Sequence, residues 1–181
     1  MSRLCTQSWK KDVGDRGKTG TVDEAARFGD LVVLAVKGTG AEEAVASCGS
    51  ALDGKVVIDT TNPIADAPPT NGVLSYFTGA NDSLLERLQK RAPKARFVKA
   101  FNSVGATLMV NPKLPAKPTM FICGNENVAK NEVRAILDKF GWETEDVGSA
   151  EGARAIEPLC MLWCIPGFLK NDWVHAFKVL R

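Results

Sequence analysis

Leu31-Val32-Val33-Leu34-Ala35-Val36-Lys37-Gly38-Thr39-Gly40 decides how the chain is read: an unbroken apolar run, then a short polar segment holding two glycines. A strand with one solvated face alternates apolar and polar residues, whereas this run does not, so it predicts a strand covered on both sides, as in a parallel sheet. The same design recurs downstream at Val56–Thr60, Phe97–Phe101 and Thr119–Cys123, with a weaker version near Thr144–Val147. Helical patterns fill the gaps. Thr21 and Glu24 have capping-box spacing ahead of Ala25, Ala26 and Phe28, and Gly29 stops that turn; Thr39 with Glu42, and Ser83 with Glu86, repeat the spacing. From Asn125 to Phe140 the residues Val128, Val133, Ile136, Leu137 and Phe140 share one side, and Gly141 ends the stretch.

Strands alternating with helices predict an α/β fold, Rossmann-like, with a mostly parallel sheet and flanking helices. The segment Asn62–Asn81 breaks the rhythm with Pro63, Pro68, Pro69, Gly72 and Gly79 and reads as a long irregular loop. From about residue 150 the pattern is helical again, and Pro158 and Pro166 are expected to kink or divide that tail. The whole chain, 1–181, reads as one domain of ordinary size.

Bulk properties narrow the partners. The formal net charge is +2 and the basic residues are scattered, which argues against a nucleic-acid or membrane partner. With no spanning segment or signal-type start, a cytoplasmic location is expected. The five cysteines are odd in number and widely spread, which does not suit a disulfide framework. Cys160 and Cys164 share a helix face, but a zinc site would need two further ligands and the single histidine is His175; buried thiols are the simpler reading and no metal is assigned. No catalytic acid–base set is assigned either. His175 reads as a packed or surface residue, and Asp59, inside an apolar strand, calls for a partner rather than a reaction. The apolar tail around Leu159, Leu162, Trp163, Ile165 and Phe168 suits a homodimer surface or a cover over the chain's own sheet.

Ligands of open parallel sheets bind beyond the carboxyl ends of the strands. Those ends here are Lys37-Gly38-Thr39-Gly40, Thr61-Asn62-Pro63 and Asn102-Ser103-Val104-Gly105, all small, polar and donor-rich. Each has a local alternative: Thr39 as a helix cap, Asn62-Pro63 as a turn starter, Asn102 and Ser103 as caps for a helix carrying Leu108 and Met109. Gly38-Thr39-Gly40 lacks the third glycine of a dinucleotide-binding turn and is weak evidence of phosphate binding.

Ala35-Val36-Lys37-Gly38, Val57-Ile58-Asp59-Thr60-Thr61-Asn62-Pro63 and Val98-Lys99-Ala100-Phe101-Asn102 together resemble the NADP oxidoreductases that depend on coenzyme F420, a deazaflavin; the cytosolic domains of six-transmembrane metalloreductases have similar strand ends. The resemblance runs from about Gly20 to the C-terminus. It implies an NADP-dependent enzyme that passes a hydride from NADPH to a small deazaflavin or flavin acceptor. It also implies site residues: Val36 and Lys37 by the ribose and phosphates, Thr60, Asn62 and Pro63 on the nicotinamide side, Ala100 and Asn102 flanking the nicotinamide. The family's opening βαβ unit, with its GxGxxG turn, is expected to be missing, with Ser2-Arg3 lying near its end; activity would then be impaired. A dinucleotide-binding or regulatory module without turnover, or an inert fragment, are the alternatives.

Overall fold

The computed structural model describes residues 9–181; Ser2, Arg3 and Cys5 lie outside it. Three parallel strands, β1 (Leu31–Leu34), β2 (Val56–Asp59) and β3 (Arg96–Lys99), pair in that order. A second parallel pair joins β4 (Thr119–Ile122) to β5 (Glu143–Asp146). The two groups meet where the Lys99 N–H donates to the Cys123 carbonyl at 2.9 Å. All five strands read from the sequence are present. Each stops one or two residues before the expected end, where the chain leaves the ladder for the sheet edge.

The continuous apolar runs have the predicted cause. Along β2, Val57 enters one core with Leu34, Leu84, Leu85, Leu88, Phe97 and Ile156. Its neighbours Val56 and Ile58 enter a second core on the opposite face, with Val98, Met120, Ile122, Val133, Leu137 and Trp142. β1 is less protected: Val33 is 55% exposed, and among the described residues β1 pairs with β2 alone.

The helices are α1 (Val22–Phe28), α2 (Ala41–Cys48), α3 (Leu84–Arg91), α4 (Asn127–Lys139) and α5 (Ala153–Lys170). Thr21 forms the expected capping box: Glu24 N–H donates to its hydroxyl at 3.2 Å and its own N–H donates to the Glu24 carboxylate at 2.7 Å. Such a cap stabilises a helix end by about 1 kcal/mol. Ser83 caps α3 by accepting from the Glu86 N–H at 3.2 Å, while its hydroxyl donates to the Glu86 carboxylate at 2.7 Å. Thr39 does not cap α2. Gly38–Gly40 is wound as a 3₁₀ turn closed by Gly40 N–H to the Lys37 carbonyl at 2.9 Å, and Gly40 occupies the cap position. Thr39 thus lies inside the turn, not at its extended entry, where a cap must sit.

Two further readings are decided by local structure. Asn102 and Ser103 cap no helix, because Ala106–Leu108 forms only one 3₁₀ turn and Gly105 precedes it. Of the kink or division expected in the tail, division does not occur: α5 runs through Pro158 and Pro166. Those prolines withdraw the N–H groups that would serve the carbonyls of Arg154 and Leu162, and both residues are exposed, so water can serve them instead. The loop 62–81 is irregular as expected, folded back on itself by bridges Ile64–Tyr76 and Thr70–Val73. After α5 the chain returns to β4, where Thr119 N–H donates to the Phe177 carbonyl at 2.9 Å. No helix among the described residues is long and apolar enough to cross a membrane.

Candidate functional site

The parallel register aligns Leu34, Asp59 and Lys99 across the sheet, so the three polar segments that follow emerge on one edge. The ends are then tied together. Thr60 donates both its N–H and its hydroxyl to the Leu34 carbonyl, each at 3.1 Å, and so spends its side chain on the end of β1. Ala100 N–H donates to the Asp59 carbonyl at 3.1 Å. Gly38 packs directly on the Asn62 carbonyl; a Cβ at Gly38 would overlap that oxygen and lie 2.9 Å from its carbon.

Asn62 and Asn102 form the centre. Asn62 Nδ2 donates to the Asn102 carbonyl at 2.8 Å, and Asn102 Nδ2 donates to Asn62 Oδ1 at 3.1 Å and to the Ile156 carbonyl at 3.0 Å. Two acceptors on opposite partners fix which way the Asn102 amide points. Its Oδ1 is then left buried without a donor. A buried acceptor in that state costs on the order of 1–3 kcal/mol until something donates to it. Phe101, between Ala100 and Asn102, has φ +61°, a left-handed backbone that a bulky residue adopts only at a cost. The strain falls where the chain turns to set Asn102.

The remaining candidates sit around this lock. Val36 is 41% exposed. Lys37 lies outside, ion-paired with Asp66. Pro63 and Ala100 are buried behind the edge. So the fold joins Asn62 and Asn102 directly, ties Thr60 to the end of β1, sets Val36 and Lys37 at the rim, and buries Pro63 and Ala100.

Under the lock lies a cluster that local sequence does not show. Lys99 is fully buried, its Nζ 2.6 Å from Asp59 Oδ2 and 3.0 Å from Glu157 Oε1, and it donates to the Thr61 carbonyl at 2.8 Å. Asp59 Oδ1 accepts from the Thr61 N–H at 2.9 Å and from its hydroxyl at 2.6 Å. Glu157 accepts from the first two N–H groups of α3, Leu84 and Leu85, both at 3.0 Å. Burial pulls the Lys99 pKa down, but Asp59 and Glu157 overcome this and leave it above the usual lysine value. Asp59 therefore has the partner its place in an apolar strand called for. Glu157 was missed; its only local signal is a carboxylate directly ahead of Pro158 and the apolar stretch that follows it.

On the other side of α5, Tyr76 donates its hydroxyl to the Glu157 carbonyl at 2.8 Å. It borders a cavity of about 220 Å³ with Thr78, Asp82, Arg154, Glu157 and Met161. His175 is a packing residue: its ring nitrogen meets the Trp163 carbonyl at 3.0 Å, and Trp163 Nε1 donates to the His175 carbonyl at 2.9 Å. Among the described residues no group of three or more His, Cys, Asp or Glu side chains is placed to hold a metal ion.

Comparison with known proteins agrees with this architecture. The family described as NADP oxidoreductase coenzyme F420-dependent matches residues 5–63. The F420-dependent NADP reductase of Methanocaldococcus jannaschii is 26% identical over 140 residues, which span 77% of this chain and 62% of that protein. The chain thus spans about three fifths of the length of that curated relative. The crystal structure of a candidate F420-dependent NADP-reductase from Arthrobacter sp. FB24 superposes with a TM-score of 0.83 at 30% identity, covering 90% of this chain and 74% of that one. An imine reductase from Streptomyces aurantiacus shares the fold alone, with a TM-score of 0.61 at 17% identity, covering 93% of this chain and 53% of that one. On the strength of the shared fold and of that identity across most of the Arthrobacter protein, the chain belongs to the F420-dependent NADP oxidoreductase family.

Proposed function

We propose that the strand-end edge holds NADP(H) and that the chain serves NADPH-dependent hydride transfer to a deazaflavin or flavin acceptor. The observation that carries this reading is the buried, donorless Oδ1 of Asn102. A nicotinamide carboxamide offers two N–H donors on a planar group, and one of them satisfies that oxygen. The Asn62–Asn102 lock and the Ile156 carbonyl hold the acceptor still, so the bond orients the ring rather than merely gripping it. Thr60 and Asn62 lie on the same side, Val36 and Lys37 at the rim where ribose and phosphates would lie, and Ala100 and Pro63 support the edge from behind. When bound, NADPH supplies the hydride; the protein's part is alignment and exclusion of water, which requires no acid–base pair.

The test is Asn102→Ala, with NADPH titrated by fluorescence and transfer to a free flavin or a deazaflavin followed by stopped flow. The transfer rate is expected to fall roughly 10- to 100-fold, with a smaller loss of affinity, because misalignment raises the barrier directly. Equal losses, or none, would remove Asn102 from this role. A non-catalytic dinucleotide module would bind NADPH and give no transfer with any of these acceptors.

The exposure of Leu162 (54%), Phe168 (44%) and Leu169 (58%) on α5 supports a homodimer built on that helix, while Ile156, Cys160 and Trp163 cover the chain's own core. Light scattering coupled to size exclusion is expected to give twice the chain mass, and Leu162→Glu with Leu169→Glu to give the monomer. A monomeric unmodified chain would end that reading.

A further inference from the structure

We propose that Asp59, Lys99 and Glu157 present one net negative charge beneath the nicotinamide position, so that the bound cofactor is biased toward its oxidised, cationic form. The inference rests on the NADP(H) reading of the strand-end edge.

The charge follows from the partners. Both carboxylates meet donors and a cation: the Thr61 N–H and hydroxyl donate to Asp59 Oδ1, the Leu85 N–H to Glu157 Oε1 and the Leu84 N–H to Glu157 Oε2, while the Lys99 ammonium is ion-paired with Asp59 Oδ2 at 2.6 Å, an oxygen with no hydrogen bond of its own, and with Glu157 Oε1 at 3.0 Å. Carboxylates that accept from N–H and O–H groups and face an ammonium are in the ionised, acceptor form. With Lys99 protonated the sum is two negative charges against one positive. All three side chains are at most 2% exposed, so water does little to screen them.

The location follows from the chain. Lys99 donates to the carbonyl of Thr61, whose next residue is Asn62, and Asp59 lies two residues before Thr61. Glu157 follows Ile156, whose carbonyl receives the Asn102 amide. The triad is therefore one residue removed from each half of the lock that holds the orienting oxygen. The other ion pair at this edge, Lys37 with Asp66, is neutral in sum and exposed.

The chemistry gives the sign. The nicotinamide ring is neutral in the reduced cofactor and carries one positive charge once a hydride, with its two electrons, has left for the acceptor. A fixed negative charge nearby lowers the energy of the cationic ring and of the transition state leading to it, and it needs no reorganisation to do so. Asp59, Lys99 and Glu157 act here as positioning and electrostatic residues, and none of them touches the reacting atoms.

The test compares equilibrium binding of NADPH and NADP⁺ to the whole chain and to Glu157→Gln and Asp59→Asn, each of which removes one negative charge. Circular dichroism checks that each variant is folded. The expected result is that the ratio of the two dissociation constants shifts toward the reduced cofactor by roughly three- to tenfold in either variant. A purely structural role would weaken both forms alike and leave the ratio unchanged, which would overturn the proposal. The unmodified chain supplies a test that needs no folded variant: it is expected to bind NADP⁺ more tightly than NADPH, and the reverse preference would overturn the proposal. If the unmodified chain binds neither form at millimolar concentration, the cofactor reading itself fails and takes this inference with it.

Discussion

Lys99→Met is expected to destabilise the chain by about 3–5 kcal/mol, the range for removing one member of a buried ion pair. The loss comes less from missing contacts than from what is left behind. Asp59 and Glu157 would face each other inside the protein with no cation between them, and the Thr61 carbonyl would lose its donor. Those groups tie β2, β3, α3 and α5 into one unit, so the damage is not confined to one element. Urea unfolding followed by circular dichroism measures the change. The triple variant Asp59→Asn, Lys99→Met, Glu157→Gln should recover a good part of the loss, because it removes the uncompensated charges together. If Lys99→Met unfolds at the same urea concentration as the unmodified chain, the triad holds nothing together. The pH dependence has a definite sign. The folded pKa of Lys99 lies above the ordinary lysine value, so its contribution is fully present below that value and is lost as pH rises through the higher folded one. Across the neutral range the lysine's contribution should therefore be flat.

The triad also shows where the sequence could be read and where it could not. The strands were legible because each lies in one uninterrupted apolar run, and burial on both sheet faces leaves no other economical arrangement for such a run. That Asn62 and Asn102 share one sheet edge was legible too, since parallel strands carry their C-terminal ends to the same edge; the bonds between the two, 40 residues apart, were not. Asp59 was legible as a residue in need of a partner. Glu157 was not, because its contact with the α3 N–H groups spans more than 70 residues and depends on how α5 crosses the sheet, which no local pattern states. Thr39 was misread for a different reason. Its spacing to Glu42 satisfies the local rule for a cap, but the chain at Gly38 is drawn against the Asn62 carbonyl and wound into a 3₁₀ turn. A tertiary contact thus overrode a local preference worth only about 1 kcal/mol. The prolines of α5 belong to the same class: the penalty for interrupting a helix falls on carbonyls whose exposure is known only once the helix has been placed.

Gly38→Ala is expected to cost about 1–3 kcal/mol of stability, as overpacking does, and to weaken NADP(H) binding along with it. Gly38 and Gly40 look alike in sequence, two glycines flanking one threonine, and suggest a phosphate-binding turn that lacks its third member. The structure separates them. A methyl group at Gly38 would enter the space of the Asn62 carbonyl, and that obstacle is backbone, which cannot swing aside as the end of a side chain can. The segment around Asn62 would have to move away from β1, pulling Asn62 Nδ2 off the Asn102 carbonyl and Oδ1 off the Asn102 amide. The orienting oxygen would then lose the fixed position on which the cofactor reading depends. Gly40 has no atom within 4 Å of the equivalent position and an ordinary negative φ of −104°. Gly40→Ala should therefore be neutral or slightly stabilising, through a less flexible unfolded chain. The two variants add the same methyl group two residues apart. Thermal melts and NADPH titrations on both should show a loss at Gly38 alone. Equal tolerance at the two positions would mean that the Gly38–Asn62 contact yields easily, and that the edge is held by the asparagine pair without it. Equal losses would point instead to a phosphate-binding turn in which both glycines let backbone N–H groups approach an anion.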